Sequence, residues 1–224
     1  MAKDVRALTA ALAAAKKRAD RAIRALGARH QGVEMEEFGA ANAELKRLER
    51  ELALAKGQEA ALPYPWEPPW DVGAPMPHVV AAGHRVFLLY YVSIPDPNWD
   101  GGDVSIVDPS DPQAIPLAIV EVLRCYSHRF GGPNDEVFHG HPLGRRGLDG
   151  YGAYEVVNSR WLAEHRRINQ VHSGFDAKLW ERRKHFFLAF HDEVFECIAE
   201  GFRVETVQMS FADALAQLVE RVLD

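Results

Sequence analysis

The chain has 224 residues, 47% hydrophobic and 26% charged, with a net charge of −6, the balance of a folded globular protein. No apolar run approaches the roughly 20 residues that span a bilayer, and two cysteines far apart fit neither a disulfide framework nor a CxxC metal site. Residues 61–224 hold 14 Lys/Arg against 23 Asp/Glu, and an acidic surface repels phosphate backbones, so no nucleic-acid partner is expected for that part. The N-terminus has charges inside its alanine-rich run and no cleavable signal pattern, so the expected setting is reducing and cytoplasmic.

Residues 4–57 predict a helical hairpin. Val5, Leu8, Leu12, Ala15, Ala19, Ala22 and Leu26 repeat at three- and four-residue spacing, and Phe38, Ala41, Leu45, Leu48, Leu52 and Ala55 repeat it. Gly27 and Gly32 bracket the break. Two such stripes joined by a short turn fit antiparallel, coiled-coil-like packing. The first stretch is basic and the second acidic, so charge supports the pairing. Such an arm serves as a spacer, a self-association surface, or a dock for a protein partner through residues 1–60.

Residues 61–78 contain six prolines and run extended or in turns. This Pro/Trp-rich linker divides the arm (1–60) from the main domain (79–224). Tyr64, Trp66 and Trp70 predict that it lies against that domain. Residues 79–93 read as a β-hairpin turning at 81–85, and 104–107 and 116–124 as further strands. Asp96, Asp100, Asp103, Asp108 and Asp111 invite a calcium reading, but their spacing is not that of an EF-hand, and Asp-Pro and Asp-Gly pairs form turns.

Residues 125–152 stand apart. They hold three histidines, seven glycines, two prolines and few apolar residues. Long structureless loops inside a compact domain are functional or disordered, and strand-like segments anchor both ends of this one. It reads as the working loop. Beyond it, 154–157 are a strand or a helix start, and Asn158 or Ser159 caps a helix to about residue 171. Phe175 and Asp176 open a short helix. Residues 185–192 and 193–199 form a hairpin, 201–208 continue as a third strand, and Ser210 caps a final helix. The expected fold is α+β: a mainly antiparallel sheet with two or three helices packed on it, preceded by the N-terminal helical hairpin. There is no βαβ alternation to suggest a Rossmann-like sheet.

Within the loop, His139 and His141 flank Gly140. In an extended segment residues i and i+2 face one side, so both imidazoles would reach one divalent metal ion, with Asp135 as a third ligand. The pattern does not continue into the cupin or metallo-β-lactamase arrangements. His191 and Asp192, with Glu193 and Glu196, pair an imidazole with carboxylates, as general acid–base chemistry requires. His139, His141, His191 and Glu136 are the expected catalytic residues, and His128, Asn134, Arg145, Arg146 and Tyr151 the expected ligand contacts. Cys125 near His128 is a weaker candidate nucleophile. The expected function is binding of a small molecule or peptide, with metal-assisted or His/acid chemistry. The competing expectation is a non-catalytic accessory protein that docks a partner through the hairpin and the aromatic linker.

Overall fold

The computed structural model describes residues 4–29, 32–71, 73–93 and 108–223. The strand expected over 104–107, and Asp96, Asp100 and Asp103, lie outside the described residues. Asp108 and Asp111 accept hydrogen bonds from the Ser110 and Gln113 amides, which is turn chemistry.

Helices α1 (Val5–Arg29) and α2 (Gly32–Ala55) form the expected hairpin. Leu8 and Ala15 of α1 meet Leu48 and Leu52 of α2, and the small Ala15 is 1% exposed. The complementary charge appears as an Arg18–Glu44 ion pair at 2.7 Å.

Nine strands follow. One sheet has the order β1-β6-β7-β8-β5 and the other β2-β3-β4-β9, every pair antiparallel. The first is built from β1 (Ala60–Pro63), β6 (Gly152–Val157), β7 (Lys184–Ala189), β8 (Val194–Ala199) and β5 (Ser127–Gly131). The second takes β2 (His78–Ala82), β3 (Arg85–Tyr91), β4 (Ile115–Leu123) and β9 (Gly201–Met209). The single sheet expected from sequence is therefore two. β9 does not extend the β7–β8 hairpin but pairs with β4.

The physical reason lies in β3 and β7, which are apolar on both faces. Val86, Leu88 and Tyr90 meet Phe186, Leu188, Phe190 and Phe195 in the core between the sheets. The alternate residues Phe87, Leu89 and Tyr91 face helix α5 (Phe211–Leu223) through Phe211, Ala214 and Leu218. A strand with two apolar faces needs cover on both.

The linker enters this core. Its first residues are β1, paired with β6. Trp70 is 5% exposed, and the Trp66 indole N–H donates to the Tyr90 hydroxyl at 3.0 Å.

Residues 125–152 are not structureless. They supply β5 and a 3₁₀ helix, Asp135–Gly140. Phe138, Leu143 and Leu148 are buried against Tyr154, Phe187 and Val194 on the outer face of the first sheet. The expectation that this stretch builds little core is corrected: its apolar residues recur every five positions, a spacing that matches neither helix nor strand. The layer is tight at Gly144, where a Cβ would stand 1.8 Å from the Phe138 carbonyl oxygen. Helix α2 closes over it. Asn42 Nδ2 donates to Asp149 at 3.0 Å and Lys46 Nζ to the Leu148 carbonyl at 2.7 Å.

Candidate functional site

The outer face of the first sheet also carries a buried polar chain. Asn158 takes a positive φ of 53°, which turns the strand β6 into helix α3 (Arg160–Asn169). Ser159 is the N-cap, its Oγ accepting the Leu162 N–H at 3.0 Å. His185 stands on β7 at an outward position, and its Nδ1 lies 2.8 Å from Ser159 Oγ. Its Nε2 lies 2.9 Å from Glu196 Oε2 on the neighbouring strand β8. Ser159 and His185 are 6% and 4% exposed.

The polarity of the chain follows from the donor inventory. An ionised carboxylate only accepts, so with a neutral ring Nε2 carries the proton. Nδ1 is then an acceptor, and the serine hydroxyl donates to it. Glu196 thus fixes the tautomer that leaves a basic nitrogen facing a hydroxyl. Trp161 packs edge-on against His185 with centroids 5.0 Å apart. Arg129, opposite Glu196 in the β5–β8 register, covers the Trp161 face at 4.1 Å.

Ser159 and His185 line a cleft of about 540 Å³ bounded by β6, α3, α4 (Ala177–Arg182) and the start of β7. Its charged lining is Arg166, Arg183, Lys184 and Glu155. Lys184 pairs with Glu155 at 2.7 Å, which leaves two guanidinium groups in excess. The Arg183 guanidinium lies 4.5 Å from the Tyr126 ring and 4.2 Å from the Trp180 ring, a placement that fixes its fork. Burial lowers its pKa. The Nε atoms of Arg166 and Arg183 are closed off from solvent and have no hydrogen-bond partner among the described residues.

The residues singled out from sequence fall into three places. Four meet at the end of the β7–β8 hairpin. His191 Nδ1 is 3.1 Å from Asp135 Oδ1, Asn134 Nδ2 donates to Asp192 at 3.0 Å, and Tyr151 stacks on His191 with centroids 5.7 Å apart. The Asp135 hydrogen bond raises the His191 pKa. The nearby hollow of about 180 Å³ is lined by Trp66, Trp70 and Tyr151 but not by His191.

His139 and His141 part company. The segment is a 3₁₀ helix rather than extended, so the i, i+2 argument fails. His139 is exposed with Nδ1 3.3 Å from the Glu136 carbonyl. His141 turns inward, its ring 5.4 Å from Phe187, and its Nδ1 accepts the Leu143 N–H at 3.1 Å. Asp135 serves His191, and Glu136 is exposed. No group of three or more His, Cys, Asp or Glu among the described residues is placed to hold a metal ion.

The remaining candidates are dispersed. His128 stacks on Phe195 with centroids 6.1 Å apart. Arg145 is exposed, and Arg146 pairs with Glu59 at 3.8 Å, so the two do not form one clamp. Cys125 is buried, and burial pushes its thiol up to about 11. A hollow of about 380 Å³ between α2 and the loop is lined by Asn42, Lys46, Arg50, Asp149 and Tyr154. Those groups bond one another or the loop backbone, so it is a seam.

Sequence reasoning took Ser159 as a cap, His185 as the first residue of a strand, and Glu196 as a companion of His191. The signal was there: Glu196 interrupts an otherwise apolar strand and His185 opens the apolar run of 186–189, and a polar group in such a strand needs a buried partner. Which partner is a matter of register. No family model, curated protein or solved structure matches the chain, so the site rests on its own geometry. No described helix is long and apolar enough to cross a membrane.

Proposed function

We propose that this chain binds a small molecule carrying a carboxylate or phosphate in the cleft between α3, α4 and the β6–β7 edge. The observation that carries the reading is the pair of guanidinium groups, Arg166 and Arg183, that line one cleft whose only lining carboxylate, Glu155, is taken up by Lys184. An anion offers a guanidinium the planar, bidentate match. The volume, about 540 Å³, suits a metabolite-sized ligand. This keeps the expected small-molecule function and moves it from the His139–His141 turn to the α3–α4 cleft over the same face of the first sheet. No metal enters the reading.

The test compares thermal unfolding in sodium phosphate, sodium benzoate and sodium chloride at matched ionic strength. Phosphate or benzoate should raise the midpoint of the native protein, by roughly RT ln(1 + [L]/Kd) of added stability. Arg166→Gln and Arg183→Gln should each remove that rise. Equal midpoints in all three salts would sink the proposal.

A second reading is a docking role for the hairpin. Ile23, Val33 and Met35 are 54%, 66% and 59% exposed, on the two helix stretches flanking the turn. The aromatic linker no longer contributes, because Trp66 and Trp70 pack on the core. Light scattering of the native chain and of Ile23→Lys/Met35→Lys tests self-association through this end. A monomer in both forms removes the second copy as the occupant.

A further inference from the structure

We infer that Ser159 is a nucleophile and that the cleft hydrolyses esters of small anionic acids. This deepens the binding reading and rests on it. The hydroxyl, imidazole and carboxylate form one unbroken hydrogen-bond chain, Ser159 Oγ to His185 Nδ1 at 2.8 Å and His185 Nε2 to Glu196 Oε2 at 2.9 Å. Its hydroxyl end, and not its carboxylate end, lines the cleft that carries the two arginines.

A serine whose only task is to cap a helix needs no base behind it. The cap bond uses one lone pair on Oγ, from the Leu162 N–H, while the hydroxyl proton goes to an imidazole whose far nitrogen is held by a carboxylate. That is the role assignment by which a hydroxyl is activated, recognised by geometry and not by chain order. Here the ring is used in the reverse sense, Nδ1 toward the hydroxyl and Nε2 toward the acid. The positive end of α3 also favours the developing alkoxide.

The step balances without a co-reactant. Ser159 Oγ attacks the ester carbonyl carbon as His185 Nδ1 takes its proton. The carbon–oxygen bond to the alcohol breaks, and the leaving oxygen receives that proton from His185. Water then attacks the acyl-serine carbon and gives a proton to Nδ1; the Oγ–carbon bond breaks, Oγ takes that proton back from Nδ1 to restore the hydroxyl, and the acid is released. Glu196 is a positioning residue: it holds the Nε2–H tautomer and the imidazolium. Arg166 and Arg183 hold the anionic handle of the substrate.

Two measurements test this on the full chain. The first treats the native protein with an alkyl fluorophosphonate, in which Oγ displaces fluoride at phosphorus, and maps the adduct by peptide mass. One adduct at Ser159 is expected. The second follows release of nitrophenol from nitrophenyl hemisuccinate, a negatively charged ester. Ser159→Asn retains a cap acceptor at this position and should lose turnover at least about 100-fold. Glu196→Gln should lower kcat steeply, toward the roughly 10⁴-fold cost of a wrong tautomer, and should shift the acid limb of the pH–rate profile. A merely structural glutamate would leave that limb in place.

No adduct at Ser159, or equal turnover in Ser159→Asn, overturns the inference. The mapping uses only native protein, so it stands even if a variant fails to fold. Phosphate stabilisation without an adduct leaves the binding reading and removes the nucleophile. An adduct without phosphate or benzoate stabilisation removes the anionic-ligand reading and, with it, this choice of substrate class.

Discussion

His185 Nε2 and Glu196 Oε2 lie 2.9 Å apart across neighbouring strands, on a sheet face otherwise filled by Phe187, Ala189 and Val194. The pair is a polar island in an apolar layer. Removing one partner leaves the other desolvated and unpaired, so Glu196→Leu should destabilise by about 1–3 kcal/mol. The double change His185→Leu/Glu196→Leu should cost less than the sum of the singles. Urea unfolding of the four forms measures the coupling. Strict additivity would mean that the two groups do not act as a pair.

The histidines give opposite pH signatures. Burial lowers the His141 pKa, and its Nδ1 must stay unprotonated to accept the Leu143 amide. In the unfolded chain an imidazole titrates near about 6.5. Below that value the unfolded state takes up a proton that the folded state resists, so stability falls as pH drops. His141→Gln should flatten this acid slope.

His191 runs the other way. Its raised pKa, from the Asp135 hydrogen bond, contributes stability that is full below about 6.5 and is lost as pH rises through the folded value. The side chain is 36% exposed, so solvent screening keeps the effect small. Asp135→Asn should remove it, read as a loss of the difference between urea midpoints at pH 6 and pH 8.

Trp70 is 5% exposed and wedged between Trp66, Tyr90 and Phe190. Trp70→Ala should cost about 3–5 kcal/mol. The native tryptophan emission from this residue should resist iodide. A variant as stable as the native chain would show that the linker is loosely laid on the core.

Gly147 has φ +95°, and a Cβ there would stand 2.1 Å from Arg50 Cγ. Gly147→Ala should therefore combine backbone strain with displacement of α2, at about 2–4 kcal/mol. Lys46→Met, which removes the bond to the Leu148 carbonyl, should cost about 1.5–3 kcal/mol. Hydrogen exchange at residues 143–149 checks both, because these changes loosen the same seam. Protection unchanged in both variants would mean that the hairpin hangs free.

The elements with strong periodicity were legible in sequence. The two N-terminal helices follow their apolar stripes, Asp176 and Ser159 cap the helices they announce, and the tight join at 191–193 is the β7–β8 hairpin. Sheet partnership was not legible. Nothing local in Gly201–Met209 says that it will pair with Ile115–Leu123 instead of the strand just before it. Which side chains converge was illegible for the same reason. Asp135, Tyr151 and His191 did converge, but His139 and His141 were read on an extended backbone. Ser159, His185 and Glu196 become neighbours only through the pairing of β7 with β8 and the seating of α3 at the end of β6.

The crossing between sheets takes a single residue. β8 ends at Ala199 in one sheet and β9 begins at Gly201 in the other. Ala60 is paired with Val157, and Ile115 with Met209, so both layers are stitched from strands distant along the chain. On a ribosome adding roughly 5–20 residues per second, neither layer can be completed until nearly all of the described chain has emerged, and the apolar strand β3 waits uncovered. Such long-range pairing folds slowly. The interval is one in which a chaperone has a substrate, and it ends almost at once for both sheets when β8 and β9 arrive together.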